Sequence, residues 1–181
     1  MIVSEKKKRE NIAEYVIYMW QLEDIVRAHG SDAGSVYQFI MGAANVDADI
    51  ADKALRWYQG ICERVAILPK GTHLEEVFEV LQELNLLHGM LLTTIKDADY
   101  KEQFEKARGG INDLMERAGG KAISEVEACF NGMYGIFLLD IQKKSVSKET
   151  RDAIGPIREL LKILSARYFE MKKGTLNFSL N

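Results

Sequence analysis

The longest apolar pattern in the chain runs from Asn11 to His29, NIAEYVIYMWQLEDIVRAH. At about 100° per residue, Ile12, Tyr15, Val16, Met19, Leu22 and Val26 fall on one broad face, as a helix requires. Ile17, Tyr18, Trp20 and Ile25 lie well off that face, so the segment is apolar on most sides. A helix of that kind belongs at the centre of a bundle. The pattern predicts helix 1 from just after Ser4 to near Gly30, with Glu5 in its first turn and Gly30 as the stop.

The same spacing recurs down the chain. A short helix, SVYQFIMGA, follows Ser31 and Asp32. A third runs from Asp47 to Leu68, with Ile50, Ala54, Trp57, Ile61, Val65 and Leu68 as its stripe, and Pro69-Lys70-Gly71 ends it. Thr72-His73-Leu74-Glu75 has the form of a capping box opening a fourth helix to about Lys96. Its apolar face is wide: Leu74, Val77, Phe78, Leu81, Leu84, Leu87, Leu91 and Ile95. The fifth, from Asp99 to Ala118, carries Gly109-Gly110 at its middle, where a bend or a split is expected.

Ser124-Glu125-Val126-Glu127 opens a sixth helix with another capping box, its expected core face being Val126, Phe130, Met133, Phe137 and Ile141. Ala128, Gly132 and Gly135 beside it form a strip on which a neighbouring backbone would approach closely. Ser147 caps a seventh, in which Pro156 is either a kink or the true first turn. No segment before Thr175 alternates with a period of two. The reading is an all-α, single-domain bundle of six to seven helices over residues 1–174. The tail 175–181, TLNFSLN, reads as extended and apolar-edged, docked on the domain or on a partner chain.

Composition changes this picture little. At 181 residues, the chain is long enough to bury roughly 70% of its unfolded surface. Only two prolines are present, which favours helix, and a net charge of −3 argues against nucleic acid as a partner. Cys62 and Cys129 are far apart and form no CxxC pair; each lies in a predicted helix and reads as a buried thiol of a reducing cytosol. The start, MIVSEKKKRENIAEY, lacks the form of a secretory signal, and no window of about 18 residues is free of charge. The expectation is a cytoplasmic protein with no membrane segment.

Polar residues on apolar faces are where a site would be sought. Glu23 lies among the directions of Ile12, Val16 and Met19, with Arg27 one turn on as its expected partner. A carboxylate taken from water must be paired or protonated, and such acids gather at functional sites. His88 sits near the centre of the fourth helix's face, with Asn85 one turn before it. The candidate pocket or buried polar cluster is therefore Tyr15, Tyr18, Trp20, Glu23, Arg27, Asn85 and His88. No Glu-x-x-His occurs, and His73 with Glu76 reverses that order at a helix start, so no metal site is expected. GxSxG, Walker, GxGxxG and HExxH patterns are absent, and no catalytic residue or cofactor is assigned. The run Lys6-Lys7-Lys8-Arg9 puts like charge at a helix's positive end, the one hint of an anionic partner.

The opening segment KKKRENIAEYVIYMWQLEDIVRA resembles the N-terminal signature of an uncharacterised bacterial family, a domain of unknown function of about this length. The resemblance covers the whole chain and implies a compact helical bacterial protein. It supplies no reaction, substrate or site residue. The function expected from the residues is association, with another protein or with a second copy. The alternative is a small-molecule-binding or enzymatic bundle with a polar pocket around Glu23, Arg27 and His88.

Overall fold

The computed structural model describes residues 2–42, 47–119 and 123–176. Eight α-helices and no strand occur among them: α1 (Ile2–Glu10), α2 (Ile12–Ala28), α3 (Ala33–Met41), α4 (Ala48–Ala66), α5 (Glu75–Thr93), α6 (Ala98–Arg117), α7 (Glu125–Ile141) and α8 (Lys148–Lys173). The class is all-α as the periodicity requires, but the count exceeds six to seven. The extra helix comes from a break at Asn11. There the Ala13 amide donates to Ser165 Oγ, 3.1 Å away and 152 residues on, and Ser165 in turn donates to Asn11 Oδ1. A side chain of α8 thus takes a bond that a continuous helix would have made with its own backbone.

The helices fall into two compact units. The first gathers α1 with Glu14–Phe78, and the second gathers Asn11–Ala13 with everything from Glu79 onward, α5 contributing to both. In the first, α3 packs on α4, and Asp32 and Asp47 cap them through the amides of Ser35 and Asp49. Its core includes Val16, Met19, Leu22, Val26, Tyr58, Ile61 and Val65. Gly30 and Ser31 carry positive φ of 62° and 61° and turn the chain out of α2.

In the second unit α6, α7 and α8 pack on one another. Helix α6 runs unbroken through Gly109-Gly110. A Cβ at Gly110 would lie 3.0 Å from the Ala153 carbonyl oxygen and 3.3 Å from Ile157, so glycine here lets α8 approach rather than bending α6. Gly132 plays the other part: a Cβ there would strike Leu114 at 2.6 Å, so it receives side chains, not a backbone, while a Cβ at Gly135 would meet nothing within 4 Å. The buried face of α7 is accordingly Val126, Cys129, Phe130, Gly132 and Ile136, turned away from Ile141, which is 55% exposed. Pro156 lies inside α8, and its carbonyl accepts from Gln103 Nε2 at 2.8 Å. Gly174 ends α8 in the left-handed region, and Leu176 after it is buried. The rest of the tail, 177–181, lies outside the described residues, and with it the expectation of an extended docked segment.

Candidate functional site: two histidine–glutamate pairs

Helix α2 carries Glu23 into the first unit with 0% exposure. Its Oε2 accepts from His73 Nδ1 at 2.7 Å, and its Oε1 accepts from the Leu74 amide at 2.8 Å. The second bond explains how α5 starts. The Leu74 carbonyl takes the amide of Phe78 and opens the helix, and its own N–H is the group a capping-box acid would satisfy. Glu23 satisfies it from another helix. The expected box from Thr72 and Glu75 is not made: Thr72 donates its hydroxyl to the Pro69 carbonyl instead.

Arg27 stands off from Glu23. Its Nη1 is 3.8 Å from Glu23 Oε2, an ion pair without a hydrogen bond, while Nη2 donates to the Thr72 carbonyl at 2.9 Å. The His73 ring lies flat on Trp20, centroids 4.4 Å apart and planes 8° off parallel. A carboxylate is an acceptor, so His73 carries its proton on Nδ1 and its lone pair on Nε2. That Nε2 has no hydrogen-bond partner among the described residues and is not a buried atom. Nearby, Arg64 pairs with Glu76 at 2.7 Å. Burial, then the charges of Glu76 and Glu5, push the Tyr15 phenol up to about 12, so it stays protonated at neutral pH. Tyr18, raised chiefly by burial, shares a hydrogen bond with Tyr58.

The second unit holds the inverse arrangement. His88 on α5 is buried; Tyr100 lies 2.7 Å from its Nδ1 and Glu125 2.9 Å from its Nε2. Burial raises the Tyr100 hydroxyl far above the usual phenol range, so it donates to Nδ1, and the ring gives its own N–H to Glu125. Tyr100 is fixed from its other end: its amide donates to Asp97 Oδ1 at 2.9 Å, and Asp97 Oδ2 takes Arg167 Nε at 2.6 Å. Burial alone would raise the Asp97 carboxyl, but the Arg167 hydrogen bond and the Tyr100 amide outweigh it and hold the group below its ordinary value. The space bounded by His88, Tyr100, Glu125, Cys129 and Leu161 has no room for a water molecule. Burial, followed by the Glu125 charge, pushes the Cys129 thiol up to about 12.

Of the seven residues singled out in the sequence, Tyr15, Tyr18, Trp20, Glu23 and Arg27 lie in the first unit, Asn85 and His88 in the second. Asn85 is half-buried, and its side chain has no hydrogen bond among the described residues. The residue sequence reasoning passed over is His73. It sits in the loop before α5, where helical periodicity carries no information, and its partner is 50 residues away. The one signal was the surplus acid on α2, which demands a donor without naming it.

Each cation of the basic run meets a partner of its own. Lys7 bonds Glu14 at 2.7 Å, Lys6 pairs with Glu10, Lys8 lies over the Tyr15 ring, and Arg9 donates to the Glu5 carbonyl. Among the described residues no group of three or more His, Cys, Asp or Glu is placed to hold a metal ion, and no helix is long and apolar enough to cross a membrane. Among curated proteins and solved structures, none matches the chain. The family model described as domain of unknown function DUF4924 matches residues 1–175, and the chain belongs to that family.

Proposed function

We propose that the protein is a binding module that works by pairing with a second copy of itself through a patch on the first unit. The observation that carries this is a groove of about 240 Å³ lined by Tyr18, Gln21, Leu22 and Ile25 of α2 and by Phe39 and Ile40 of α3. Five of these six residues are apolar or aromatic, and the α2 members follow the spacing of one helix face. Phe39, one wall of the groove, keeps 62% of its surface exposed and projects from it. A knob and a hollow on one patch are what an isologous two-fold interface requires, since the same surface must receive itself. Neither His88 nor Glu23 is left to act as a base: the His88 ring is spent on two partners, and both Glu23 oxygens are taken.

Light scattering of the wild type and of Phe39→Asp tests the reading. The expected result is a dimer that the substitution converts to a monomer with an unchanged circular dichroism spectrum, the wild-type melt alone rising with protein concentration. A wild type that stays monomeric at the highest soluble concentration overturns it, as does a dimer that Phe39→Asp leaves intact.

A further inference from the structure

The three histidines differ in what their ring nitrogens hold. Both nitrogens of His88 are engaged and the side chain is 7% exposed. His29 tilts against Phe39 at 4.9 Å, with no carboxylate on its ring among the described residues. His73 combines a buried carboxylate on Nδ1, a stacked Trp20 and an Nε2 that opens to solvent.

From this we infer that His73 is a modification site: its Nε2 accepts a phosphoryl group from a small anionic phosphoryl donor, with Glu23 and Arg27 as positioning residues. Three features converge on it. In the neutral ring the Glu23 bond selects the tautomer whose lone pair is on Nε2, the nitrogen left for attack. The stack on Trp20 and the 2.7 Å bond hold the ring still, which removes the orientational cost of attack. As Nε2 bonds to phosphorus the imidazole becomes cationic, and Glu23, at 0% exposure, is the fixed counter-charge already on the far nitrogen.

Arg27 decides the class of electrophile. Its guanidinium lies 3.8 Å from the same Glu23 oxygen that His73 holds, is fixed by Asp24 and by the carbonyl of Thr72, the residue before His73, and its side chain is 32% exposed. A phosphoryl group brings roughly two negative charges and three acceptor oxygens, the partner a guanidinium fits. A neutral acyl group would draw nothing from it. With phosphoramidate as donor, the Nε2 lone pair forms the N–P bond, the donor's P–N bond breaks, and ammonia departs with the hydrogens it already carries. Nothing is oxidised or reduced, and the Nδ1 proton stays on the bond to Glu23.

The full chain is incubated with phosphoramidate at neutral pH and the modified histidine located by mass spectrometry, with phosphorus-coupled proton NMR to tell Nε2 from Nδ1. In the wild type His73 is expected to label on Nε2 at least about tenfold faster than His29, the scale on which an orienting carboxylate acts. His29 labelling as fast as His73, or attachment at Nδ1, overturns the inference, and this comparison needs no variant. Glu23→Gln, used once its circular dichroism matches the wild type, is expected to lose most of the excess; an unchanged ratio overturns Glu23's role. Diethyl pyrocarbonate, a neutral acyl donor, separates the two classes. Arg27→Gln should slow phosphoramidate several-fold and leave the acyl reaction as it was, and equal effects on both reagents refute the phosphoryl assignment.

Discussion

His73 and His88 each share a hydrogen with a glutamate, at 2.7 and 2.9 Å, yet the two pairs are built in opposite senses. In the first unit the acid is the buried member, at 0%, and the imidazole reaches the border, at 26%. In the second the imidazole is buried, at 7%, and Glu125 reaches the border, at 38%. What is left facing water therefore differs. Beside His88 it is a carboxylate oxygen, which water solvates and which does nothing further. Beside Glu23 it is an oriented imidazole nitrogen with a free lone pair. The same two residue types give a closed structural joint in one place and a poised reactive group in the other, and the order of burial decides which.

The largest effect that tests this contrast is expected from His88→Ala. It empties a fully packed site and strands the Tyr100 hydroxyl, so it should cost about 3–5 kcal/mol, roughly 10 °C in melting temperature. A melt within error of the wild type would mean that the second pair is not the closed joint described here. Next in size is a pH effect that passes through the same network. Asp97's folded-state pKa lies below its ordinary value of 3.8, so its contribution is present above that value and is lost as pH falls through the folded one. The melting-temperature gap between wild type and Asp97→Asn should be widest near neutral pH and close below about pH 3.8. A gap that stays constant across that range would show that the Arg167 contact leaves Asp97 unperturbed. The smallest effect belongs to Arg27→Ala. Glu23 keeps His73 and the Leu74 amide without it, so the denaturant midpoint should report a loss under about 1 kcal/mol. A loss of about 3–5 kcal/mol would mean instead that Glu23 depends on Arg27 for its charge balance.

What the sequence made legible follows the reach of each interaction. Caps that act within four residues could be read directly: Ser124 and Ser147 accept the amides of Glu127 and Thr150 as their spacing requires. Thr72 had the same local form, yet its amide and hydroxyl both donate to the Pro69 carbonyl, and the Leu74 amide two residues on is met by an acid 51 residues earlier that no window around Thr72 contains. The burial of Glu23 follows from its angle on α2, but its donors lie in a loop without a period. Amphipathic faces were readable to within a rotation. Phe78 and Ile50 were assigned to stripes yet stand 56% and 44% exposed, because a wheel ranks directions without knowing where a neighbour stops. At Gly110 and Gly132 the sequence offered the glycines and only packing assigned the uses, one to a backbone and one to a side chain.

The bond between the Ala13 amide and Ser165 has a consequence for how the chain is made. Synthesis delivers α1 and α2 first, and locally the cheapest course for residues 2–28 is one uninterrupted helix. The break at Asn11 is written by a hydroxyl that leaves the ribosome 152 residues later. Until α8 emerges the Ala13 amide lacks this partner, and nascent chains halted before residue 165 should carry residues 2–28 as one continuous helix. The interruption at Asn11 is then among the last steps of assembly, however early those residues are made.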